Sequence, residues 1–245
     1  MAIIIITATT TTAITTITTM LADAALHRLL AWTSPSYPVG SFTYSHGLET
    51  AVEDGRITTA AHVAAYVEAV LARGGGWIDA VLFVHAHRAA QDDAAFDALS
   101  ELATAFRGSS ETALESRQQG GSFLSVTRKA WPHPALDAFA ARNGDHPIAH
   151  ATVMALACAV HEIPLEPALH GWLHATAANL VSAGVRLVPL GQTDGQLALA
   201  ALSHAIPAIA AKALATPLDD LGTAAPELEL ASLSHETLYT RLFRS

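Results

Sequence analysis

"TAAHVAAYVEAVLARGGG", residues 59–76, decides the fold class. Val63, Val67, Val70 and Leu71 recur at helical spacing and share one face. Gly74, Gly75 and Gly76 then supply a C-terminal stop. The same period continues on both sides. "LADAALHRLLAW" (21–32) aligns Leu21, Ala25, Leu29 and Trp32. "WIDAVLFVHAHRAA" (77–90) and "DDAAFDALSELATAFRG" (92–108) predict two further helices, the second with acids in its first turn and Arg107 at its end, as the helix dipole favours. "ETALESRQQGGSFLSVTRKAW" (111–131) is helical with Gly120 and Gly121 in its middle, which predicts close packing or a kink. "IAHATVMALACAVHE" (148–162) is apolar nearly all round, as in a central buried helix.

Two long helices follow. One starts near Pro167 and must break at Val188-Pro189. The next has Thr193 and Gln196 at capping-box spacing and Pro207 inside it, where a kink is expected. No strand pair and no helical repeat is legible. The fold class is all-α, a compact single-domain bundle of about nine or ten helices, with abundant alanine permitting close helix packing.

The chain has 245 residues, 51% hydrophobic and only 14% charged. Such a balance implies a large core or surface covered by partners. The net charge of −9, without a basic cluster, excludes a nucleic-acid binder. A single cysteine, Cys158, excludes a disulfide framework, and its apolar surroundings make it a structural thiol. Residues 1–19 are Ile, Thr and Ala without charge; they fit neither a secretory signal nor a membrane span. They read as a disordered or over-extended start, with Met20 as the natural one. The helical domain then covers 20–216. From 217 to 245 the helical pattern fades, and this tail is expected to be loose in the isolated protein and to order on a partner.

Catalytic motifs are missing. There is no phosphate-cradling G-x-x-x-x-G-K-[ST] and no G-x-S-x-G elbow. Among thirteen histidines, His170 and His174 in "HGWLH" share a helix face, but Gly171 stands where a zincin has Glu, and no third ligand is at fixed spacing. A helical metal-binding protein or hydrolase using this pair is the alternative to a non-enzymatic reading.

Three further stretches are distinctive. "SPSYPVGSFTYSHGLE" (34–49) is stiffened by Pro35 and Pro38 and carries Tyr37, Phe42 and Tyr44, anchors suited equally to an interface or to plugging the bundle's end. Gly40 and Gly47 permit close approach, and Ser45 is placed to cap the helix carrying Glu49. "SAGVRLVPLGQ" (182–192) sets Arg186 in an apolar run. A buried guanidinium there needs a carboxylate, with Glu49 the candidate, or a pairing across an interface. "LASLSHETLYTRLFRS" (230–245) ends the chain on a short apolar stripe, Leu238, Leu242 and Phe243.

These three motifs, in this order, resemble the signatures of the UreF family of urease accessory proteins, from about residue 21 onward. Tyr37 departs from the leucine frequent there, and residues 1–19 have no counterpart. The resemblance implies a cytoplasmic, non-enzymatic, all-helical protein that dimerises. It implies binding to a UreD/UreH-type accessory protein, recruitment of the UreG GTPase and delivery of nickel to apo-urease, with no cofactor of its own and no membrane or nucleic-acid partner. The residues expected at partner or dimer contacts are Tyr37, Phe42, Tyr44, Glu49, Arg186, Gln192, His235, Glu236, Arg241, Leu242 and Phe243. An arginine finger from Arg186 into the GTPase is a further role open to that residue. The two signature regions at 34–49 and 182–192 both lie at helix ends and are expected to sit side by side at one pole of the bundle.

Overall fold

A computed structural model describes residues 22–245; the expectations for residues 1–19, and for Leu21 in the first stripe, lie outside the described part. Eleven α-helices and two short 3-10 turns are found there, with no strand among the described residues. They are α1 (Asp23–Trp32), α2 (Leu48–Glu53), α3 (Ala60–Arg73), α4 (Gly75–Arg88), α5 (Asp93–Ala105), α6 (Ser110–Ala130), α7 (Pro134–Asn143), α8 (His150–Val160), α9 (Leu165–Leu187), α10 (Gln192–Ala215) and α11 (Pro226–His235).

The helices at the centre are those without a polar face. In α8, Val153 to Cys158 are buried without a break, and α4 buries Ala80 to Val84 in the same way. The two pack on each other; α8 also meets α6 and α9, while α4 meets α3, α9 and α10. Amphipathic helices surround this pair, as α3 shows by burying Val63, Val67, Val70 and Leu71. Cys158 is fully buried, and burial pushes its thiol pKa up, away from reactivity.

Local signals set the boundaries. Gly74 caps α3, and α4 starts at once from Gly75. Ser109 and Thr112 form a reciprocal capping box at α6. α9 stops at Leu187, just before Val188-Pro189. Gly120 explains the glycine pair in α6: a Cβ there would collide with the Ile148 carbonyl at the entry to α8, whereas Gly121 faces open space. The two differ because one looks at the neighbouring backbone and the other away from it.

One local expectation changes. The cap of α10 lies earlier than Thr193: Asp194 accepts the Gly191 N–H at 2.9 Å, so Thr193 is already inside the helix. Pro207 lies within α10, which continues to Ala215. α10 is long and apolar enough to cross a membrane by length and composition, and here it packs on α9, α3 and α4.

Candidate functional site

The three signature stretches converge on one end of the bundle. Residues 34–47 form an irregular loop with a 3-10 turn at Ser41–Thr43, and α2 follows. His46 and Gly47 both take left-handed backbone conformations, φ 53° and 75°. The Tyr66 hydroxyl donates to the His46 carbonyl (2.8 Å) and fixes this turn. A Cβ on Gly47 would stand 2.7 Å from the Ser232 nitrogen, so α11 can sit against α2 only because position 47 lacks a side chain. The N-cap of α2 is Gly47 rather than Ser45, although the Ser45 hydroxyl lies 3.4 Å from the Glu49 N–H and accepts from it.

Glu49 is the hub. Its carboxylate accepts the backbone N–H groups of Leu242 (2.7 Å) and Phe243 (3.0 Å) and meets His235 Nε2 at 2.9 Å. The other ring nitrogen of His235 lies 2.7 Å from Glu111, and Arg241 donates to the second Glu111 oxygen at 2.8 Å. His235 is fully buried. The His235 ring is therefore held between two carboxylates, one at each nitrogen. Hydrogen bonds involving ionised groups contribute about 1.5–3 kcal/mol each, so the network is strong while complete and costly when one member is lost.

A second set of contacts extends it. Ser45 donates its N–H and hydroxyl to the Ser245 carbonyl, and the Arg244 N–H donates to Thr43 (2.7 Å). Glu115 lies 3.2 Å from the Ser245 hydroxyl and accepts from Gln119 (2.8 Å) and His46 (3.0 Å). Burial alone would lower the His46 pKa; the charge and hydrogen bond of Glu115, with Asp79 behind them, outweigh it and raise it. The Ser109 and Ser232 hydroxyls meet at 2.7 Å, and Glu236 accepts from the Ser110 N–H and hydroxyl.

This arrangement corrects the expectation of a loose tail. α11 and residues 241–245 are packed, with Phe243 and Ser245 buried, because Glu49 and Glu111 accept from the tail while Ser45 and Ser110 donate to it. Arg186 is also corrected. It is exposed rather than buried and has no carboxylate partner among the described residues. It donates to the Phe42 carbonyl (2.8 Å) and to Ser182 in its own helix, and its guanidinium lies 4.4 Å above the Phe243 ring. Glu49, the candidate partner, is taken by His235 instead.

The aromatic loop residues divide. Tyr44 is buried and bonds Gln118; Tyr37 is half-buried against Phe123 with its hydroxyl 2.8 Å from Thr127; Phe42 is 63% exposed. Leu242 is exposed beside the buried Phe243, and Gln192 is exposed at the start of α10. The two signature regions do lie side by side, since Asn179 donates to Ser41 and Arg186 to Phe42 across α9. His170 and His174 lie apart from this end on α9, and no group of three or more His, Cys, Asp or Glu is close enough to hold a metal among the described residues.

Comparison with known proteins identifies the family. The UreF family model matches residues 57–203. Urease accessory protein UreF of Granulibacter bethesdensis is 53% identical over 225 residues, covering 91% of this chain and 95% of that protein. UreF of Rhodopseudomonas palustris strain TIE-1 is 49% identical over 225 residues, and that of Bradyrhizobium sp. ORS 278 is 47% identical over 224, each covering 91% of this chain.

The chain belongs to the UreF family of urease accessory proteins.

UreF is an accessory family rather than a catalytic one, and its role is in urease maturation. The family match begins at residue 57, so the aromatic loop and the C-terminal segment that grip one another flank the matched region on either side. Sequence reasoning overlooked several residues of this UreF-family site. Glu111, Glu115 and Gln119 recur every fourth residue on α6 and are all buried. A polar stripe at helical spacing that faces inward was the available signal. His46 and His150 gave none, because a lone histidine in a loop or at a helix start has no pattern.

Proposed function

We propose that this chain is a scaffold in urease maturation. In this reading it binds a UreD/UreH-type accessory protein, and the pair recruits and modulates the UreG GTPase. The assembly inserts nickel into apo-urease in a GTP-dependent step, in the cytoplasm, with a homodimer of this chain at its centre. Nickel is cargo of the complex, and no cofactor belongs to this subunit.

The observation that carries the reading is the two-sidedness of the C-terminal segment. Its inner side is held by Glu49, Glu111 and Gly47. Its outer side shows Leu233 of α11, then Tyr239 and Leu242, all exposed. A segment anchored so firmly while presenting large apolar side chains outward is suited to receive a partner protein. Phe42, exposed in the loop whose Thr43 holds Arg244, adds an aromatic at the same end.

Co-expression with the UreD/UreH-type protein and the GTPase tests this. Leu233→Glu/Tyr239→Glu leaves the buried side untouched, so the melting temperature should stay within a few degrees while the complex is lost from size-exclusion chromatography. A complex that forms normally with this double variant would move the docking surface elsewhere.

A further inference from the structure

The C-terminal segment does more than present a surface: it also encloses space. A cavity of about 860 Å³ lies between α4, α6, α8 and α11. One wall belongs to the body of the fold and includes Glu115, Ser116, Gln119 and His150. The facing wall is the connection from α10 to α11 and α11 itself, through Thr223, Pro226, Leu228, Glu229 and Ser232.

We propose that residues 222–235 are a hinged wall, seated on the body of the fold and closing one side of this cavity, so that access to the cavity is coupled to seating of the C-terminal segment. Three observations carry this. First, the attachment is discrete. Between α10 and α11 the chain has only the 3-10 turn Leu218–Asp220, and the wall is pinned at separate points: Trp77 Nε1 to Gly222 (3.1 Å), Ser109 to Ser232 (2.7 Å) and the His235 network. Second, the seat is shaped for it, since Gly47 leaves the space that the Ser232 backbone fills. Third, the body-side wall holds polar atoms with nothing to bond. Ser116 Oγ and His150 Nε2 are both buried and without a hydrogen-bond partner. Burial lowers the His150 pKa to about 4, so its ring is neutral near pH 7. Orphaned groups of this kind are satisfied by small hydrogen-bonding guests, water included. A seated wall holds such a guest; a lifted wall exposes both groups to bulk solvent.

Thiol reactivity of the full-length chain tests the coupling. Ser116→Cys places a probe on the body-side wall, and the buried Cys158 is the internal control for global unfolding. The reagent is 5,5′-dithiobis(2-nitrobenzoate), with peptide mass mapping to assign the modified thiol. Adding Gly47→Val to unseat the wall should raise the reaction rate of the introduced thiol at least about tenfold while Cys158 stays protected. A Ser109→Cys/Ser232→Cys cross-link should slow the rate when oxidised and restore it when reduced. Equal rates in the seated, unseated and cross-linked forms overturn the proposal. Should Gly47→Val unfold the chain, seen as a reactive Cys158, the oxidised-against-reduced comparison decides alone: a slower oxidised form supports the hinged wall, and identical rates refute it.

Discussion

Glu49 and His235 meet at 2.9 Å although 186 residues separate them in sequence. Glu49 also holds two backbone N–H groups, so it answers three donors with one side chain. Glu49→Gln keeps the volume, removes the charge and turns one oxygen into a donor facing donors. Breaking a buried pair of this kind costs about 3–5 kcal/mol. The loss reaches the whole fold only up to the docking energy of the segment, beyond which the segment simply lifts. Limited proteolysis should therefore cleave between α10 and α11 much faster in the variant, while far-ultraviolet circular dichroism changes little. Equal cleavage rates would refute Glu49 as the anchor.

Gly120 and Gly121 are adjacent and should respond oppositely to the same change. A Cβ at 120 meets the Ile148 carbonyl, so Gly120→Ala should destabilise by about 1–3 kcal/mol, as overpacking does. Nothing lies within 4 Å of a Cβ at 121. Gly121→Ala should raise stability by about 1 kcal/mol through helix propensity. Urea denaturation of the two variants measures both signs.

Two histidines give the fold opposite acid and alkaline responses. The folded-state pKa of His150 is lowered to about 4 from the ordinary 6.5, so its neutral form belongs to the fold. The associated stability is complete above pH 6.5 and is lost as pH falls towards 4, by at most about 3 kcal/mol. The pKa of His46 is raised, so its contribution is complete below the ordinary 6.5 and is lost as pH rises through the folded value. His150→Leu should flatten the acid side of a melting-temperature profile, and His46→Gln the neutral-to-alkaline side. A His150→Leu profile that keeps its full acid loss would assign that loss to other groups.

Arg186 touches a carbonyl and an aromatic face while exposed to water. Arg186→Ala should cost only about 1 kcal/mol, or a few degrees of melting temperature. Assembly with the partner proteins should suffer more than stability, because the guanidinium rests on Phe243 beside the exposed Leu242. A large melting shift with normal assembly would make the residue structural.

The helices were legible because their signal is local. Val63, Val67, Val70 and Leu71 announce a buried face without reference to any other part of the chain, and Val188-Pro189 ends α9 wherever α9 packs. Arg186 was misread because burial depends on packing, which local sequence does not show. Its apolar neighbours suggested burial, yet the register of α9 turns it outward, over the Phe243 ring near the far end of the chain. Glu49 was named as a signature residue and as a partner for Arg186 but not as a hub, since a carboxylate in a short helix shows nothing of the three donors that will reach it. Glu111, Glu115 and Gln119 needed the sheltered face of α6, which only the packed bundle defines.

The long separation of Glu49 from His235 and Phe243 also orders events in time. Closing so large a loop is entropically expensive, and contacts of this range form late. During synthesis the aromatic loop emerges well before residues 235–243, which complete its lock. Until then Glu49 and Glu111 face each other's neighbourhood without the imidazole that joins them, and the pole of the bundle is unfinished. A partner able to read the completed pole would thereby distinguish a locked loop from an unlocked one.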